Sequence, residues 1–269
     1  MSHTGNAANG GDEGLPFPRP RNIPATAPFR WIARGIGDLK SCPLPSLFYG
    51  FCFAGMGLLM TFVFEHAYEY AMAVTSGFLL LGPFLAMGLY EISRRHERNE
   101  GCSLTPTLTV WKRNAGNIGI FAVVLGIVFI VWARASLVIF ALFYTSEMPN
   151  LSGFLKQLLV MDNLQFLAIY AGVGLIFATV AFAFSVCSLP LMLDRNQDAV
   201  SSMLGSVGSL LINPLAMILW AAIIVSFTAV GFLTFHLGLV VLMPIVGHAT
   251  WHAYRELIEP LDASHPSVA

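Results

Sequence analysis

His248 and His252 stand four residues apart in a long uncharged stretch, so on a helix both imidazoles project from one face with Cβ atoms about 5–6 Å apart. That arrangement suits a metal ion, a haem iron or an anion, and these two residues are the chain's cofactor-binding candidates. Two ligands on one helix leave a tetrahedral site half filled. The glutamate of the HExxH zinc motif is missing as well. The alternative puts the pair at the membrane interface, beside Trp251, Tyr254 and Arg255 at a helix C-terminus whose dipole favours positive charge. The spacing therefore predicts interfacial groups, with no metal and no cofactor bound.

Glu65, His66 and Glu69, with His236 further along, form a second group that can bind a cation only if distant loops meet; solvated loop residues are the simpler expectation. Arg134 falls deep enough along its segment to snorkel at the far interface. The apolar residues 135–146 after it would lie on the outer leaflet or cap the bundle. No acidic residue sits within the core of any long apolar run, which argues against a proton pump built on a buried carboxylate. Phosphate-binding loops, dinucleotide glycine fingerprints and GxSxG elements are absent, so the expectation is that the protein is not an enzyme.

The elements that must carry these residues follow from charge placement. Of 269 residues, 56% are hydrophobic and only 11% charged, which excludes an ordinary soluble domain. A net charge of −1 offers no field for nucleic acid. Uncharged runs occupy 41–64, 70–90, 114–133, 163–193 and 199–254. Each is long enough for a membrane-crossing helix, and the last holds two crossings joined by a turn near Thr234, Phe235 and His236. The sequence thus predicts an all-α polytopic membrane protein with six transmembrane helices in three hairpins: 44–64 with 71–90, 116–134 with 165–187, and 214–233 with 237–255. Strands of a barrel would alternate instead of running continuously apolar.

With both ends on one face, Arg19, Arg21, Arg30, Arg34, Lys40, Arg94, Arg95, Arg98, Lys112, Arg113, Arg195 and Arg255 share the terminal side, leaving only Arg134 and Lys156 opposite. The positive-inside rule makes that side cytoplasmic. Residues 1–28, rich in proline and glycine, read as a disordered cytoplasmic tail. Residues 29–258 form the membrane domain and 259–269 a C-terminal tail. Cys42, Cys52, Cys102 and Cys187 map to the inner face or to spans, so no structural disulfide is expected.

Three apolar stripes at helical period precede the hairpins: Phe29, Ile32, Ile36, Leu39; then Leu104, Leu108, Trp111, Ala115, Ile118; then Val200, Met203, Leu204, Val207, Leu211. They predict interfacial amphipathic helices, anchored by Trp31 and Trp111 and touching anionic lipids at the cytoplasmic face. Each returning span carries a proline, Pro83, Pro190 or Pro244. Such bends either line a shared cavity or are separate packing kinks.

Three stretches carry a family resemblance: Asp38-Leu39-Lys40-Ser41-Cys42-Pro43-Leu44-Pro45-Ser46-Leu47-Phe48-Tyr49-Gly50; Leu81 to Ala86 with Gly88-Leu89-Tyr90-Glu91-Ile92-Ser93-Arg94-Arg95; and Gly247-His248-Ala249-Thr250-Trp251-His252-Ala253-Tyr254-Arg255. As a set they resemble a bacterial family of six-span integral membrane proteins of unknown function, some of whose members are labelled as a cytochrome c oxidase subunit. The resemblance implies a cytoplasmic (inner) membrane location and supplies no site residues. A haem-copper catalytic subunit needs more spans and more histidine ligands than this chain offers. Three functions stay open: an accessory or scaffold component of a membrane complex with a membrane-protein partner, which is the leading expectation; a transporter or channel for a small apolar or weakly polar solute; and a haem- or metal-binding subunit resting on His248 and His252.

Overall fold

The computed structural model describes residues 17–66, 71–143 and 164–260. Among these the chain is helical throughout, with one isolated β-bridge between Pro20 and Ile258. The helices are α1 (Ala27–Ser41), α2 (Pro43–His66), α3 (Ala71–Glu97), α4 (Thr105–Leu108), α5 (Ala115–Phe143), α6 (Leu164–Ser185), α7 (Ser188–Arg195), α8 (Ala199–Ile212), α9 (Pro214–Leu233) and α10 (Leu237–Leu257), with a 3-10 turn at Val110–Asn114 before α5.

Local chemistry sets the ends. Proline occupies the first turn of α1 and of α9, where its missing N–H has no helical partner to lose. Asp198 caps α8 by accepting a bond from the Ser201 N–H at 2.8 Å. The turn expected between α9 and α10 is present. Phe235 and His236 take φ of 53° and 69°, and the Gly238 N–H donates to the Thr234 hydroxyl at 2.9 Å. Gly238 is required there because a Cβ would sit 3.0 Å from the Gly231 Cα.

Among the described residues, five helical segments are long and apolar enough to cross a membrane: Pro43–His66, Val110–Phe143, Leu164–Arg195, Pro214–Leu233 and Leu237–Leu257. The 27-residue α3 fills the remaining segment for which a crossing is expected. Chain neighbours touch: α2 packs on α3, α5 on α6, and α9 on α10. Burial is uneven. The most apolar window of α10 is 67% buried, against 6% for that of α6, so α10 is the central post and α5 and α6 lie to one side.

Several expectations need correction. Residues 17–26 are not a free tail but an ordered strap. The Arg21 N–H donates to Leu257 O at 2.7 Å, the Glu259 N–H donates to Arg19 O at 2.9 Å, and Ile23 and Arg21 are both tied to the Asn213 amide. Pro18 and Pro20 seat against Gly205 and Gly208 of α8, where a Cβ would come within 2.9 and 3.0 Å of the proline rings. Proline-rich composition reads as disorder only while no groove is built to receive it. The strap also sets both described chain ends at one end of the bundle.

The first amphipathic segment is not simply interfacial either. Trp31, Gly35 and Asp38 turn inward, and α1 makes its main contact with α10. Trp31 is fully buried, edge-on to Trp220 with centroids 5.6 Å apart, and its Nε1–H donates to Glu256 at 2.9 Å. Trp111, by contrast, is exposed. In α8 the serines Ser202, Ser206 and Ser209 face inward and Val200, Leu204 and Leu211 face outward. Arg134 is exposed within α5, which continues as helix to Phe143 instead of breaking into a surface extension. Cys42 and Cys102, expected free, are disulfide-bonded across a Cα–Cα distance of 5.4 Å. Compartment chemistry alone predicts free thiols; the bond follows from the loop after α3 folding back over the start of α2.

Candidate functional site

The C-terminal ends of α3 and α10 meet the C-terminal half of α1 and the first turn of α2. Four elements therefore bring polar side chains to one buried point. Asp38, 5% exposed, is its centre. Its Oδ2 accepts from the Ser93 hydroxyl at 2.6 Å and from His252 Nε2–H at 2.9 Å, and its Oδ1 accepts from His96 Nδ1–H at 2.8 Å. Burial pushes the Asp38 carboxyl up, but the hydrogen bonds from His252, Ser93 and His96 outweigh it and hold the group at about 2.

The chain of bonds continues inward. Ser93 has one proton and gives it to Asp38, so its oxygen accepts from His248 Nδ1–H at 2.8 Å. The other nitrogen, His248 Nε2, lies 2.9 Å from the Ser46 hydroxyl, which is also 2.7 Å from Cys42 O. Ser46 has one proton to share between its two neighbours, Cys42 O and His248 Nε2. Glu97 flanks the other side, 3.6 Å from His252 Nδ1. The resulting line of hydrogen bonds leads from half-exposed His96 to fully buried His248.

Ion pairs surround this centre. Glu91, 1% exposed, takes bidentate bonds from Arg94 at 2.7 and 2.8 Å and from Arg113 at 2.9 and 3.0 Å. Asp194 accepts from the Tyr254 hydroxyl at 2.8 Å and faces Arg98 and Arg255, while Glu256 pairs with Arg30. Much of the terminal-side basic cluster is thus locked into the bundle's polar end.

The two histidine candidates are brought together, but not at an interface: His248 is 0% and His252 7% exposed. The aromatic-belt expectation fails because α1 lies over their face. Neither is arranged as a ligand set, and among the described residues no group of three or more His, Cys, Asp or Glu side chains is placed to hold a metal ion. Among the described residues the outer group is not placed to hold a metal ion either. His236 bonds the Thr61 hydroxyl at 3.1 Å, His66 donates to its own Phe62 carbonyl, and Glu69 lies outside the described residues. Pro83 lines the half-open cavity between α3 and α9, whereas Pro190 and Pro244 do not border it.

Sequence reasoning missed Asp38, Ser46, Ser93 and His96. The signal was present, since the three stretches that carry the family resemblance contain Asp38, Ser46, Ser93, His248 and His252.

Residues 71–194 match the family model described as Predicted integral membrane protein (DUF2189). The match runs from the start of α3 to the end of α7 and takes in Ser93, His96 and Glu91. It agrees with the resemblance read from the sequence: an uncharacterised family of multi-pass membrane proteins. No curated protein and no solved structure matches the chain.

Proposed function

We propose that this chain is a non-catalytic accessory or scaffold component of a bacterial inner-membrane complex, with six spans in three hairpins and both termini cytoplasmic. One observation carries the reading. The polar groups of the Asp38 cluster are spent on one another across α1, α2, α3 and α10, leaving the cluster as a clamp. Ser46 and Ser93, the two hydroxyls that flank His248, are both 0% exposed and out of reach of substrate.

The outward face of α5 and α6 suits a partner helix. Ile120, Val123, Ile127, Ile130, Leu175 and Ile176 are exposed on two helices that bury little against their own chain. The basic cluster supports a cytoplasmic terminal face, where exposed Arg34 and Lys112, the latter over the Trp111 ring, can meet anionic lipid. Native mass spectrometry after extraction in mild detergent tests the role. The expected result is a stoichiometric membrane-protein partner that Val123→Arg or Ile176→Arg removes without unfolding the protein. A bare monomer in wild type contradicts it.

A further inference from the structure

A cavity of about 290 Å³ lies between α2, α3, α6, α9 and α10, beyond the polar cluster and separate from it. Phe53, Pro83, Phe182, Ile224, Met243 and Val246 give it an apolar wall. The hydroxyls in that wall are mostly spent on their own helices: Ser185 donates to Ala181 O at 2.6 Å, Thr228 to Ile224 O at 2.8 Å and Thr250 to Val246 O at 2.8 Å. Tyr90 differs. It borders the cavity, is 6% exposed, and its hydroxyl takes part in none of the hydrogen bonds among the described residues. In the same wall the fully buried Trp220 has an indole N–H without an acceptor among the described residues.

A buried phenol without a partner forgoes a hydrogen bond that water would have given it. An apolar cavity of this size stays empty of water unless polar partners hold it. Both conditions are met by a hydrocarbon chain with one acceptor oxygen. At about 30 Å³ per carbon-sized unit, the share a water takes in the liquid, the volume holds roughly ten carbon atoms. We infer that this cavity is a binding site for a single neutral hydrocarbon chain of about ten carbons bearing a carbonyl oxygen, which accepts from the Tyr90 hydroxyl. The inference rests on the membrane reading of these helices and is independent of the accessory role.

Gly82 offers the means to test it. It borders the cavity, and a Cβ there meets nothing within 4 Å, so Gly82→Phe can fill the space without a backbone clash. The probe is a ten-carbon methyl ketone carrying a terminal diazirine, photolysed with purified protein in phosphatidylcholine nanodiscs and mapped by peptide mass spectrometry. Labelling is expected at residues facing the cavity on α3, α9 and α10 and is expected to disappear in Gly82→Phe. In wild type, 2-decanone should compete about fivefold better than decane, the factor a net hydrogen bond of ordinary strength supplies. Tyr90→Phe should make the two compete equally. Competition by a short-chain phosphatidylglycerol as well assigns the natural occupant to a lipid ester chain, and its failure to compete assigns a free single-chain compound. Labelling spread over the outer faces of α5 and α6 and unchanged by Gly82→Phe would overturn the inference, as would equal competition by ketone and decane in wild type. Should Gly82→Phe fold poorly, the competitor pair in wild type and Tyr90→Phe decides alone.

Discussion

Asp38 accepts three hydrogen bonds in a buried setting, so truncating it strands three donors at once. Asp38→Ala is expected to cost about 3 kcal/mol of unfolding free energy, the scale for breaking a buried charged network. Asp38→Asn, which keeps one acceptor, should cost less. The same residue sets a pH dependence. Its folded pKa of about 2 lies below the ordinary carboxyl value of 3.8, so the folded protein binds fewer protons. That contribution, about 2 kcal/mol, is fully present above about pH 4 and lost as pH falls through 2. Acid unfolding of wild type and Asp38→Asn should therefore converge below that window; parallel curves would show that Asp38 is not the group responsible. The histidine pair was legible as a shared helix face but not as buried, because helical spacing says which residues face the same way and not what lies opposite. Asp38 lies off the apolar stripe of Phe29, Ile32, Ile36 and Leu39, and only the docking of α1 on α10 gives it partners.

At the scale of elements, that docking depends on one small residue. A Cβ at Gly35 would sit 2.8 Å from Ile245 O and 2.9 Å from Ala249 N, whereas one at Gly37 of the same helix meets nothing within 4 Å. Gly35→Ala should lower the thermal unfolding midpoint, and Gly37→Ala should leave it unchanged or raise it by the equivalent of up to about 1 kcal/mol in helix propensity. Equal effects would mean that α1 does not pack as described. The disulfide between Cys42 and Cys102 closes a 60-residue separation, worth about 4 kcal/mol in the loop-entropy account. Reduction of the purified protein should lower its midpoint, and Cys42→Ser with Cys102→Ser should remove that sensitivity. Helix positions were legible because long uncharged runs leave the backbone no alternative in lipid. The strap at 17–26 was not legible, since its partners are glycine notches in α8, nearly two hundred residues away.

The described residues form a polar end laced by ion pairs, an apolar body around α10, and two helices, α5 and α6, that remain largely outside the packed part. The proposed cytoplasmic placement of the terminal side predicts that reporter fusions after Glu97 and Glu259 read as cytoplasmic and one after Phe235 as periplasmic; a reversed pattern would overturn it. The cysteine pair sharpens this test. Cys42 and Cys102 are bonded at the end that carries both described chain ends, and a bond that survives alkylation of intact cells before lysis would overturn a cytoplasmic placement of that end. The central claim is that the histidines belong to a clamp and not to a cofactor site. The most direct test is the unfolding midpoint of the purified double variant His248→Gln, His252→Gln. A clear fall is predicted, because glutamine cannot reproduce the bonds that tie α10 to Asp38, Ser46 and Ser93. A midpoint equal to that of wild type would contradict the account.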